Sequence, residues 1–216
     1  TRLVKEVDDF LENHDTADPF FLYVGLGQVH TPHSPPKFYM DGTPVKGVFG
    51  HPHLDLLYEM DLTVGSLMSS VEDRGLMENT IIVFASDNGG LNPNKLGYIV
   101  SDRHFRGSKA SIWEGGHTIP MVMRYDGVLP SGENRTGLVG LNDIYATLAD
   151  FVGLDIPDGS AQDSISFADH AKSEEKTSDR EFFGVWNWAE NRAHGIRYGK
   201  YKYAMMFNDT NDEYLY

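Results

Sequence analysis

Two short apolar runs constrain this chain most: FFLYVGL at 20–26 and the stretch at 80–85, each ending in residues that cannot continue a strand. GQVHTPHSPP follows the first and SDNGG follows the second. Between them, residues 54–73 carry Leu54, Leu57, Val64, Met68 and Val71 at the spacing of one helix face. Unbroken apolar character suits strands buried on both sides, and a helical crossover of this length makes two strands parallel, with a right-handed connection. The expected fold is therefore α/β with a mostly parallel sheet. Both strand ends should reach the edge where open α/β sheets bind ligands. That edge would carry His30, on a proline-broken loop, and the pair Asp87 and Asn88, on a glycine turn.

Around this unit the sequence predicts a helix over 1–13, from Leu3, Val4, Val7, Phe10 and Leu11, and a strand at 121–125. A further helix over 141–152 is closed by Gly153. The stretch 86–120 is glycine-rich and aperiodic, longer than ordinary loops, which marks it as functional or disordered. Residues 154–179 are polar, and 180–216 read as strands of a small antiparallel unit with a Gly-Lys turn. Three segments follow: 1–153, a connection at 154–179, and a small subdomain beginning at 180. The helical pattern is under way from Thr1, and the chain stops on an aromatic stretch, so a piece of a longer protein is expected.

A net charge of -14 makes nucleic acid and anionic membranes poor partners, and any anionic ligand then needs a local cation. With no cysteine, disulfides, zinc thiolates and thiol nucleophiles are excluded, while the compartment stays open. No apolar run approaches the length of a membrane span, and no signal peptide is visible.

Asp87 and Asn88 read two ways. A bare DNG closes a strand as an Asx-type turn, and the same carboxylate and amide oxygens suit a hard divalent cation, for which further ligands must come from elsewhere. Lys109, in RGSKASIWEGG, and Arg106 are cations on a glycine-flanked loop, either solvated charges or an anion clamp. Glu114 reads as a turn carboxylate bonded to nearby amides. His30 could donate a proton to a leaving oxygen. His104 and His117 bracket the lysine segment, His51 and His53 read as surface loop, and His33 and His194 have weaker claims. Asp61 falls on the apolar helix face, where a structural hydrogen bond is expected. Trp186 and Trp188 read as packing in the small subdomain.

In order, PFFLYVGLGQVHTPHSPP, YEMDLTVGSLMSSVEDRGLMENTIIVFASDNGG, RGSKASIWEGGHTIPMVM and GIRYGKYKY with DEYLY resemble the sulfatases of the alkaline phosphatase superfamily, over nearly the whole chain. The resemblance implies part of an alkaline-phosphatase-like α/β/α sandwich plus the start of a small C-terminal subdomain. It implies Asp87 and Asn88 as two ligands of an active-site calcium, Lys109 as the lysine on the sulfate, with Arg106 nearby, and His30 beside the leaving oxygen. The family nucleophile, a formylglycine made from Cys or Ser in a Cys/Ser-x-Pro/Ala-x-Arg motif, has no counterpart in these 216 residues. The chain alone is therefore expected to be inactive, and to self-associate or pair with a missing N-terminal half. A sulfate ester, small molecule or glycan, is the implied substrate, and a periplasmic or secreted setting is implied with it. Two other readings are a phosphate or phosphonate monoester hydrolase of the same superfamily, and a non-catalytic domain holding a sulfated glycan through Lys109, Arg106 and the WNW stretch.

Overall fold

Helix α1 (Arg2–Asn13) forms where the spacing predicts and buries Val4, Val7 and Leu11, one stripe that packs on helix α2 (Pro52–Glu72). The computed structural model describes residues 2–92, 105–187, 192–207 and 212–216, divided into two units, 1–80 and 81–216. Thr1, His104 and Trp188 lie outside the described residues.

In the first unit, α2 opens with Pro52 in its first turn, and the His51 imidazole caps it by accepting the His53 N–H at 3.2 Å. The stripe it buries is not the predicted one. His53, Asp55, Leu56, Glu59, Thr63 and Ser70 are buried, whereas Leu54, Leu57, Val64, Met68 and Val71 are only half-buried. The two stripes differ by one residue, about 100° around a helix. A polar stripe can go inside because it is satisfied locally. The Thr63 and Ser70 hydroxyls donate to carbonyls one turn back, and Asp55 accepts the Gly47 and Phe49 amides at 2.7 and 2.9 Å. Asp61, expected to be buried and bonded, is exposed.

Residues 20–26, predicted as a strand, have no regular secondary structure, and Phe21 and Tyr23 are 79% and 84% exposed. A strand exists through the ladder it makes, and among the described residues this segment has no ladder partner.

The second unit starts with β1 (Ile82–Ala85), which pairs antiparallel with β2 (Met121–Arg124), Ile82 opposite Arg124 and Ala85 opposite Met121. Among the described residues every ladder is antiparallel, so the mostly parallel sheet expected from the crossover is not found there. The α/β character stands. Among the described residues β1 takes β2 as its partner, not the segment across the helical crossover.

Helix α3 (Glu114–His117) is a single turn before β2. Helix α4 (Ile144–Val152) follows a short 3₁₀ turn at 141–143 and ends as predicted at Gly153, in the left-handed region at φ +69°. The Leu154 N–H returns to the Ala149 carbonyl, the closing bond of that cap. The polar stretch after it is held in place rather than loose. It carries α5 (Ala168–Lys172), whose buried His170 accepts the Gly137 N–H and donates from Nδ1 to the Lys176 carbonyl.

The last four strands, β3 (Phe182–Asn187), β4 (Ala193–Tyr198), β5 (Tyr201–Met206) and β6 (Glu213–Leu215), form an antiparallel meander in that order. Gly199 and Lys200 turn β4 into β5, with Gly199 at φ +52°, the conformation a two-residue hairpin asks of its first central residue. Val185, Ala193 and Ala204 on the inner face enclose Ile112. Trp186 is 64% exposed on the outer face, contrary to the packing role expected of it, because it follows the inward Val185 on an alternating strand. Among the described residues no helix is long and apolar enough to cross a membrane.

The connection is anchored by Asp143, which is 1% exposed. Its carboxylate accepts the Gly140 and Ile165 amides at 2.8 and 2.9 Å and both Nε and Nη2 of Arg180. Asp143→Ala strands a buried guanidinium and should cost roughly 3–5 kcal/mol. Urea unfolding followed by tryptophan fluorescence checks this, with Asp61→Ala, on the exposed side of α2, expected to stay near wild type.

Candidate active site

Chain reversal after β1 is built from the turn's own atoms. The Ser86 N–H donates to the Pro120 carbonyl and so extends the β1–β2 pairing, while the Ser86 hydroxyl donates to the Asn88 carbonyl at 2.9 Å. The Asn88 amide nitrogen donates to the Gly89 carbonyl at 2.9 Å, which leaves Oδ1 as the acceptor of that side chain. Asp87 is exposed, and its carboxylate has no hydrogen bond or ion pair among the described residues.

Two backbone bonds then join this turn to segments some twenty residues later. The Lys109 N–H donates to the Gly90 carbonyl at 2.7 Å, and the Gly89 N–H donates to the Gly116 carbonyl at 3.0 Å. The Gly115 N–H donates to the Arg106 carbonyl at 2.9 Å, so three stretches of main chain meet. Glycine is required by the distances. A Cβ on Gly89 would lie 2.1 Å from the Gly115 carbonyl oxygen, one on Gly115 2.3 Å from the Gly107 oxygen, and one on Gly116 2.3 Å from the Ser111 oxygen. Lys109 is half-buried within this assembly, and its ammonium has no partner among the described residues.

A hard cation takes six to eight oxygens in the case of calcium. Asp87 and the Asn88 Oδ1 fit as part of such a shell. Among the described residues no group of three or more His, Asp or Glu side chains gathers to complete one.

Arg106 is placed otherwise than the anion-clamp reading suggests. Its guanidinium lies 3.5 Å above the Trp113 ring, close to Tyr214 and Tyr216 as well, and Nη1 donates to the Tyr216 hydroxyl at 2.8 Å. Glu114, read from sequence as bonded to nearby amides, instead accepts Arg197 Nη1 at 2.6 Å and Lys202 Nζ at 2.8 Å, both on the four-stranded sheet. The sequence held a signal that was missed. In the register of the β4–β5 hairpin Arg197 stands opposite Lys202, and Lys202 alternates with buried Ala204. A cation on an inward position calls for a buried acid.

His30 belongs to the first unit. It is exposed, and its Nδ1–H donates to the Thr31 carbonyl at 2.8 Å, which leaves Nε2 to take or give a proton. Val29 before it has φ +65°, a strained conformation for a β-branched residue, and the Thr31–Pro32 bond after it is cis. The His33 and His53 rings lie 4.8 Å apart between centres, tilted by 57° to each other. Burial, then His33 and His51, hold the His53 imidazole below its ordinary pKa. His53 is thus a core residue, not the loop residue expected. His117, at the end of α3, and His194, on β4, are exposed.

With this geometry in hand, the comparisons with known proteins agree with one another. The family described as Sulfatase matches residues 1–154, and the chain belongs to that family. It is 35% identical over 162 residues to a steryl-sulfatase of Rattus norvegicus, covering 72% of this chain and 27% of that protein. It is 34% identical over 197 residues to an arylsulfatase of Hemicentrotus pulcherrimus (88% and 32%), and 30% identical over 214 residues to an N-acetylgalactosamine-6-O-sulfatase of Bacteroides thetaiotaomicron (93% and 39%). The chain therefore spans about a third of the length of these curated relatives. A solved sulfatase structure from work on glycosaminoglycan metabolism by Bacteroides thetaiotaomicron superposes with a TM-score of 0.77 at 25% identity, covering 99% of this chain and 47% of that one.

Two outcomes follow from the site's construction. Gly89→Ala drives a methyl into main chain and should destabilise the second unit by about 3 kcal/mol, whereas Gly90→Ala, with open space around its Cβ, should be tolerated; thermal melting of both variants checks the contrast. Burial raises the Glu114 carboxyl, but bonds and charges from Lys202 and Arg197 outweigh it and hold the pKa below the ordinary 4.5. Stability from this group is thus fully present above about pH 4.5 and is lost as pH falls towards the depressed value. Acid melting should show a wild-type loss below that pH that Glu114→Gln lacks.

Proposed function

We propose that this chain supplies part of the active site of a sulfuric ester hydrolase, with Asp87 and Asn88 as two ligands of a calcium ion, Lys109 as the cation on the sulfate and His30 beside the leaving oxygen. The backbone union of the Asp87 turn with the Lys109 loop is the observation that supports this reading most. In this reading residues 1–153 form part of the catalytic α/β domain, 154–179 connect, and 180–216 begin the small subdomain.

The chemistry asks for charge relief on nonbridging oxygens, an in-line nucleophile, and a proton or a positive field at the leaving oxygen. A bound calcium would supply Lewis-acid relief at the sulfate oxygens. Lys109, held by its own N–H on the Gly90 carbonyl, offers an unpaired ammonium to an oxyanion. His30, with Nδ1 committed to Thr31, can present Nε2–H to a leaving oxygen. The formylglycine expected of the family has no precursor here, since cysteine is absent and no serine stands in the required motif. A periplasmic or secreted setting rests on the resemblance alone, and self-association on the exposed 20–26 segment.

The glycan-binding reading asks Lys109, Arg106 and Trp186 to act together. It is disfavoured by the sheet, because Ile112 of the lysine loop packs on the inner face and Trp186 points outward. A phosphate or phosphonate ester hydrolase would use the same edge, and relative rates on sulfate and phosphate esters in a full-length protein separate the two.

The purified chain should release no 4-nitrophenol from 4-nitrophenyl sulfate, with or without calcium. Calorimetric titration should show calcium binding with Kd of about 10⁻³ M or weaker, given a partial ligand set. Asp87→Asn should remove that binding; calcium binding indifferent to this substitution would overturn the metal assignment.

A further inference from the structure

Lys202 is 5% exposed on a sheet face otherwise made of Phe183, Val185, Ala193, Ala204 and Met206, and Arg197 stands opposite it in the ladder. A sheet has no need of two cations on an apolar face, and leaving them unpaired would be costly. Glu114 answers both, one carboxylate oxygen to each. Glu114 is also the first residue of α3, whose next two residues carry the bonds to the active-site turn and loop. Gly115 donates to the Arg106 carbonyl, and Gly116 accepts from Gly89.

A second hold acts beside Lys109. Ala110 sits at φ +68°, a conformation an L side chain resists, and the Asn187 side-chain amide on β3 donates to its carbonyl at 2.5 Å. Ile112, two residues on, is buried among Val185, Ala193 and Ala204. The Arg106 stack on Trp113, Tyr214 and Tyr216 fixes the loop's beginning to the end of the chain. The loop bearing Lys109 is thus bonded on one side to the Asp87 turn and on the other to the four-stranded sheet.

We propose that Glu114 is a positioning residue. Its ion triad with Lys202 and Arg197 makes the C-terminal sheet hold the lysine loop against the Asp87 turn, and so sets the affinity of Lys109 for an oxyanion. The affinity part rests on the reading of Lys109 given above. The clamp itself does not.

Hydrogen exchange on the full chain tests the clamp, and titration with inorganic sulfate tests its consequence. In Glu114→Gln, amides of 106–117 should gain about tenfold more in exchange rate than the amides of β3 and β4 do. Lys202→Met should reproduce this, and Lys202→Arg, which keeps the charge, should restore most of the protection. Sulfate affinity should fall by about tenfold in Glu114→Gln, the effect of a misplaced rather than a missing contact, and vanish in Lys109→Ala. Unchanged exchange at 106–117 in Glu114→Gln would overturn the clamp, and so would equal acceleration across β3 and β4, which would make Glu114 a support of the whole unit. Sulfate binding that Lys109→Ala leaves intact would overturn the anion reading of Lys109, whatever the exchange shows.

Discussion

The second unit depends on one constraint, the approach of three stretches of main chain to distances that leave no room for a side chain. Gly89, Gly115 and Gly116 are where that approach happens, and the bonds from Lys109 to Gly90 and from Gly89 to Gly116 span it. Such a junction fixes direction as well as position, because amide and carbonyl pair only when their backbones are aligned. The backbones that carry Asp87 and Lys109 therefore belong to one bonded framework, although both residues lie in segments without regular structure. Loops placed this way can act with the accuracy usually reserved for strands and helices.

What the sequence revealed followed from local chemistry. The ends of α4 and the β4–β5 turn were legible because each is decided by one glycine whose φ is positive, at 153 and 199. The Asp87 turn and the lysine loop were legible as neighbours of a strand end because glycines flank both, and the structure bonds them to each other through Lys109 N–H and the Gly90 carbonyl. The buried face of α2 was misread. Counting apolar residues cannot tell that Asp55, Thr63 and Ser70 satisfy themselves against nearby backbone, and so can turn inward while leucines one residue away stay half in solvent. Pairing was misread at 20–26 for a related reason. A strand is defined by its neighbour, and an apolar run carries no record of which chain segment that neighbour is.

Charge shows most clearly how long-range structure decides function here. The chain carries -14, so an anion approaching it meets net repulsion, and any anion site must come from cations placed against that background. Among the described residues four lie in or against the segment of residues 106–117: Arg106, Lys109, Arg197 and Lys202. By sequence Arg106 and Lys109 are the candidates. Arg197 and Lys202 share the single carboxylate of Glu114, and Arg106 is spread over aromatic faces and bonded to a phenol. Neither arrangement leaves a donor of the strength a dianionic group would seek.

That leaves Lys109, and its isolation has a physical consequence. An ammonium with no partner among the described residues keeps its field for a ligand. The internal contacts of Arg106, Arg197 and Lys202 make those cations weaker competitors for the same anion. The same pairing spends the acid that could have quenched Lys109, since both oxygens of Glu114 are already taken. In the proposed reading, selectivity for one point of anion contact thus comes from how the neighbouring charges are satisfied as much as from the lysine itself, and those partners are up to 110 residues apart in the chain.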